Sequence, residues 1–293
     1  MSEILLSIII PTYNQSMALD LTLYWLTMSM PDKSEIIVID DMSEEDIPSI
    51  VNKYRSKIPV TCYRNKIKGR AAARNLGINL SKGNRILFND SDRFPADTDL
   101  TPHRDGDGVI IGKIMEFYFS QPTKMIDVLK HDFINMKQKS RMPEYPRLIR
   151  NYLFDENGVQ VSNVPWLGFL SGHVSAPRQA LIEVGKYDKN FVNWGVEHFE
   201  LGYRLALAGL NFFQTHSENY HIAHPRPNNF YHRRLIESFD YFKKKHNAPV
   251  INVFEKFIFG ISSLQEVEYA TTDNCEARKW TEKVTKPIMM KLL

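Results

Sequence analysis

Asp90-Ser91-Asp92 follows directly on the apolar run 85–88. Two carboxylates two residues apart on a turn can converge on one hard cation. Mg²⁺ and Mn²⁺ prefer oxygen ligands and commonly share them with substrate phosphates. The same triplet is also ordinary turn composition. Gly69-Arg70-Ala71-Ala72-Ala73-Arg74-Asn75 opens a helical stretch. Its small residues allow close packing, and a helix N-terminus attracts phosphate. Arg70 and Arg74 lie one turn apart and share a face, so they could meet an anionic ligand or pair with Asp90 and Asp92.

Pro11-Thr12-Tyr13-Asn14 ends the first apolar run, and Asp40-Asp41 ends the second. Tyr13 could stack on a nucleobase or be a half-buried turn residue. Asp41 could accept a hydrogen bond from a base N–H or a ribose hydroxyl, or start the next segment as a cap, as could Ser43. Glu197, near Trp194 and Gly195, could be a carboxylate in an apolar wall with its proton affinity adjusted for base work. It could equally be an acid stabilised in a first helical turn. His198 beside it belongs to the residue type that titrates near neutrality. His221 and His224, three residues apart, could both face a metal, although a lone histidine is more often a surface or core residue.

These side chains need a scaffold. Leu5 to Ile10, Glu35 to Ile39, Val60 to Tyr63 and Arg85 to Phe88 read as strands, the first two as buried on both faces. Ser16 can cap a helix with Leu19, Leu23 and Leu26 at helical spacing, and Arg70 to Leu80 forms an Ala-rich helix. This βα rhythm predicts an α/β fold with a mainly parallel central sheet flanked by helices. Ligands in such sheets sit beyond the carboxyl ends of the strands, where the clusters above lie. Further on, Val109 to Phe117 reads as a strand and Met125 to Lys137 as a helix. Arg141 to Asn163, with two prolines, reads as a long loop or lid. Trp166 to Ala176 is apolar, and Pro177 suits the first turn of a short helix. Glu197 to Ala208 reads as a helix stopped by Gly209. Leu210 to Gln214 is strand-like, with His221 after it, and Tyr231 to Lys245 reads as a basic helix.

The 293 residues are long enough for one large core or two fused lobes. A net charge of +3 is too small to suggest a nucleic-acid binder. Cys62 and Cys275 alone argue against a disulfide framework or a zinc cluster. No stretch reads as a signal peptide or reaches the roughly 20 apolar residues of a membrane span. A cytoplasmic protein is the expectation. Peripheral contact with an anionic membrane through Arg233, Arg234 and Lys243 to Lys245 is the alternative to a solvated helix face.

Taken together, Ser7 to Asn14, Val38 to Asp41, Gly69 to Gly77 and the Asp90-Ser91-Asp92 triplet resemble glycosyltransferase family 2, which has the nucleotide-sugar-binding GT-A fold. Trp194 to Arg204 is similar to the C-terminal motif of galactosyl- and N-acetylgalactosaminyl-transferases. The resemblance implies a GT-A domain over 1–226, with a nucleotide-binding half 1–100 and an acceptor and catalytic half 101–226. A helical extension, 227–293, would follow. It implies transfer of a hexose or N-acetylhexosamine from a UDP-sugar to a hydroxyl, with inversion, using Mn²⁺ or Mg²⁺, in polysaccharide or glycoconjugate synthesis. The acceptor would be a glycan, a lipid-linked glycan or another hydroxyl compound.

The resemblance carries roles residue by residue. Pro11, Thr12, Tyr13 and Asn14 would border the uracil, and Asp41 would bond the base. Arg70, with Arg74 and Asn75 on the same motif, would approach the diphosphate. Asp90 would contact ribose or sugar and stand beside Asp92 at the metal, and His224 would complete the metal shell. Trp194, Gly195 and Glu197 would contact sugar or acceptor. Related sequences read Glu-Asp where this one has Glu197-His198, so either residue is a candidate base. A nucleotidyltransferase would need a Gly-rich basic phosphate loop after the first strand, which Pro11 to Ser16 does not offer. A catalytically degenerate sugar-nucleotide-binding protein is the other alternative.

Overall fold

In a computed structural model, which describes residues 3–192, 195–223 and 232–271, eight strands form one mixed sheet. They are β1 (Leu6–Thr12), β2 (Ser34–Asp40), β3 (Val60–Arg64), β4 (Arg85–Asn89), β5 (Arg93–Phe94), β6 (Val109–Tyr118), β7 (His173–Pro177) and β8 (Phe212–Ala223). Their order is β3-β2-β1-β4-β7-β6-β8-β5. β3, β2, β1 and β4 are parallel. β7 runs antiparallel to both β4 and β6, which joins the expected parallel half to a second half where β6 and β8 are parallel.

The unbroken apolar run of β1 follows from helices on both faces. Ile8 and Ile10 pack with Leu19, Leu23 and Leu26 of the helix Ser16–Ser29. Ile9 turns the other way, towards Ala71 and Ile78 of the helix Arg70–Leu80. That second helix lies flush on β1, since a Cβ on Gly77 would stand 2.4 Å from Ile9 Cγ2.

Several expectations need correction. Ser16 is the first helical residue and not its cap; its N–H donates to Glu45 at 2.6 Å. The stretch 125–137 breaks at Asp132 into Ile126–His131 and Phe133–Lys137. Residues 141–163 are not one long loop. They contain the helix Glu144–Leu153, whose Tyr145, Ile149 and Leu153 enter the same core as Trp166 and Phe169. Its prolines, Pro143 at the cap and Pro146 in the first turn, sit where a missing N–H costs nothing. Pro177 ends β7 and precedes the helix Arg178–Glu183. His221 lies within β8 and not beyond it.

Phe239, Phe242 and Phe254, from the helices His232–His246 and Pro249–Ile258, share one core with Trp166 and Phe199. Lys243 pairs with Glu255 at 2.8 Å and Lys245 with Asp188 at 2.6 Å. Two of the cations named for the alternative of membrane contact are therefore paired within the protein. Among the described residues no helix is long and apolar enough to cross a membrane.

Candidate active site

The carboxyl ends of β1, β2 and β4 open into a cleft of about 590 Å³. Of the sequence candidates, Pro11, Thr12, Tyr13, Asp41, Arg70, Arg74, Asp90, Asp92, Glu197 and His221 line it. Asn14, Asn75, Gly195 and His198 do not. Trp194 and His224 lie outside the described residues.

At one end, Lys68 stands over the Tyr13 ring, 4.1 Å from its centroid, and donates to the phenol at 2.9 Å. Asp41 accepts from the Gly69 N–H with both oxygens, at 3.0 and 2.9 Å, and from the Asn65 amide at 2.8 Å. It thereby pins the loop that leads into the helix Arg70–Leu80. Asn14 adopts a left-handed φ of 50°. Its side chain accepts from the Glu44 N–H at 2.8 Å, which is turn work and not cleft work. Asn75 faces away from the cleft. Its amide grips the backbone of Tyr187, at 2.8 and 2.9 Å, because its position in the helix turns it to the outer side.

At the centre, Arg74 is 4% exposed and joins two carboxylates. Its Nη2 donates to Asp90 at 2.8 Å and its Nη1 to Glu197 at 3.4 Å. Burial works against its charge, but Asp90, Tyr187 and Glu197 outweigh it and hold the guanidinium proton more tightly than usual. Asp90 thus gives one carboxylate oxygen to Arg74 and still lines the cleft. Glu197 begins the helix Glu197–Leu207, and the two residues before it set its aim. Gly195 has φ 88° and Val196 φ 72°. A buried β-branched residue in the left-handed region costs on the order of 1–3 kcal/mol. His198 packs against Phe199, with ring centroids 4.1 Å apart, and burial pushes its imidazole down to about 4.

At the other end, Asp92 Oδ2 lies 3.2 Å from the Gln15 amide and 3.5 Å from His221 Nε2. The opposite ring nitrogen of His221 meets Glu116 Oε1 at 3.2 Å. Burial disfavours the Glu116 carboxylate, but the His221 bond and charge, Tyr118 and Arg93 together pull its pKa down to about 2. Sequence reasoning missed Gln15, Arg93 and Glu116. The one signal for Glu116 was an acid inside the otherwise apolar end of β6.

Four buried polar atoms on residues that line the cleft, Thr12 Oγ1, Arg74 Nε, Arg93 Nη1 and Glu197 Oε2, have no hydrogen-bond partner among the described residues. Such orphans suit a site completed by a polar ligand. Among the described residues no group of three metal-binding side chains stands ready. Asp92 and His221 offer one carboxylate and one imidazole, a donor set that fits Mn²⁺ or Mg²⁺ if substrate oxygens supply the rest.

Residues 7–122 match the family model described as glycosyl transferase family 2. The chondroitin synthase of Escherichia coli is 30% identical over 234 residues, which are 71% of this chain and 33% of that protein. The chain belongs to glycosyltransferase family 2. This family 2 chain spans about a third of the length of that relative. Its fold is similar to that of S. aureus TarS 1–349 in complex with UDP, at a TM-score of 0.58 and 16% identity, over 82% of this chain and 65% of that one. A mannosyltransferase from Pyrobaculum calidifontis, in complex with GDP-Man and Mn²⁺, gives a TM-score of 0.54 at 16% identity, over 84% of this chain and 66% of that one. Both likenesses place the chain in the GT-A fold.

Proposed function

We propose that this family 2 protein transfers a hexose or N-acetylhexosamine from a UDP-sugar to a glycan hydroxyl, with inversion, in polysaccharide synthesis. The observation that carries the reading is the Asp90–Arg74–Glu197 bridge, which holds a donor-side and an acceptor-side carboxylate in one cleft. The chondroitin synthase likeness supports polysaccharide as the product class, and the UDP complex of TarS supports the donor.

In this reading Tyr13 and the loop pinned by Asp41 border the base. Arg70, at the start of its helix, faces the leaving diphosphate, where cation and helix N-terminus both favour negative charge. Asp92 and His221 would hold Mn²⁺ or Mg²⁺, with His224 a further candidate. When bound, the ion neutralises charge on the diphosphate. The mannosyltransferase complex with Mn²⁺ supports that dependence. Glu197 Oε2 accepts the proton of the acceptor hydroxyl as that oxygen attacks the anomeric carbon, and the bond to the diphosphate breaks on the opposite side. Glu197 is preferred over His198 because it lines the cleft with an oxygen that has no partner among the described residues.

The test is release of UDP from a panel of UDP-sugars with and without Mn²⁺. Metal-stimulated release is expected for at least one donor. If no donor were turned over and no UDP bound with the ion present, the reading would fail.

A further inference from the structure

On the far side of the helix Arg70–Leu80 lies a second groove, of about 980 Å³. Its floor is the outer face of that helix, with Ala72, Leu76 and Asn79. One wall is the chain leaving β3, and the other is the turn 184–190. Ile67, Ala72 and Lys189 line both this groove and the candidate active site, so the two adjoin along that ridge.

The charge of this groove is one-sided. Asp188 is the acid among its lining residues, and Lys245 already neutralises it at 2.6 Å. Arg64 is matched by Asp40 at 2.8 Å and Arg204 by Glu200 at 2.7 Å. Lys66, Lys186 and Lys189 also line the groove. None of the three has an acidic partner among the described residues; Lys186 donates to the neutral Asn79 amide at 2.7 Å. Tyr63, 41% exposed, offers a ring at the rim, and Asn79 and Asn190 offer amides. A flat apolar face, amides and unmatched cations suit the CH faces, hydroxyls and charges of an acidic sugar polymer.

We propose that this groove binds an extended anionic glycan, whose hydroxyl end crosses at Lys189 into the active-site cleft as the acceptor. The acceptor role rests on the glycosyltransferase reading; the binding of the anionic chain does not. Uronate carboxylates or backbone phosphodiesters would supply the charge.

The test uses the full chain and three fluorescent probes: an oligogalacturonate, a poly(glycerol phosphate) oligomer and a neutral cello-oligosaccharide. Fluorescence anisotropy should show one or both anionic probes binding more tightly than the neutral one, with an affinity that falls as salt rises. Preference between the two assigns the charge. In Lys186→Glu, anionic-probe affinity should drop about fivefold or more, as expected for reversing an exposed charge. UDP affinity and thermal stability should stay at wild-type values, since Lys186 lies outside both the active-site cleft and the loop pinned by Asp41. Equal binding of neutral and anionic probes, or wild-type anionic binding by the variant, overturns the groove. Failure of the wild type to bind UDP or turn over any donor, with the probe result intact, removes only the acceptor role.

Discussion

Glu197 gives one carboxylate oxygen to Arg74 at 3.4 Å and keeps the other buried with no hydrogen-bond partner among the described residues. A buried acceptor without a donor is costly unless a ligand completes it. An acceptor hydroxyl would do so.

Glu197→Gln keeps the shape and removes the proton acceptor. Turnover should fall about 10²–10⁴-fold, the usual contribution of a positioned base. UDP affinity, measured by calorimetry with Mn²⁺, should barely move. His198→Ala should leave far more activity than Glu197→Gln; the reverse order would transfer the base role to the histidine.

Asp92→Asn should abolish the gain in UDP affinity that Mn²⁺ provides, while metal-free UDP binding is unchanged. Glu116 acts one step further out, through His221. Glu116→Gln should weaken Mn²⁺ binding about 10–100-fold, as loss of an orienting partner does, without reducing metal-free UDP binding. Titration of Mn²⁺ into the UDP complex reads both, and a wild-type response from Asp92→Asn would remove the proposed metal ligand.

Arg74→Met deserts two carboxylates, one of them 5% exposed. Breaking a buried pair by removing one partner typically costs about 3–5 kcal/mol. Adding Glu197→Gln should restore part of that loss, because the stranded charge is gone. Urea unfolding of the single and double variants measures it; identical losses would show that the pair is not coupled.

His103 and His173 lie under the sheet with ring centroids 4.6 Å apart. Burial holds His173 down at about 3 and His103 well below its ordinary value. Unfolded, both rings bind protons below about pH 6.5. Their contribution to stability is therefore complete above that pH and is lost as pH falls from there towards 3. The slope is up to about 1.4 kcal/mol per pH unit for each ring. Chemical denaturation from pH 7.5 to 5 should show this decline, and His173→Gln should make it shallower.

The parallel half of the fold was legible because its physics is local. Leu5 to Ile10 reads as a strand buried on both faces, and Asp41, Asp90 and Asp92 come at strand ends where the topology gathers them. The second half depends on pairings that no local pattern encodes. Glu116 and His221 become neighbours only because β6 and β8 lie side by side over their length. The helix Glu144–Leu153 was hidden by prolines that mark a loop in sequence but merely start a helix in space. Asn75 belongs to the arginine-bearing motif, yet it stands about 100° around the helix from Arg74, which takes it out of the cleft.

The border strand β7 has a mechanical consequence. It is hydrogen-bonded to β4 on one flank and to β6 on the other. The donor-binding half and the half that carries Glu116 and His221 therefore form a single stiff plate. Their spacing is set when the chain folds, and any adjustment to substrates of different size falls to the loops along the rim.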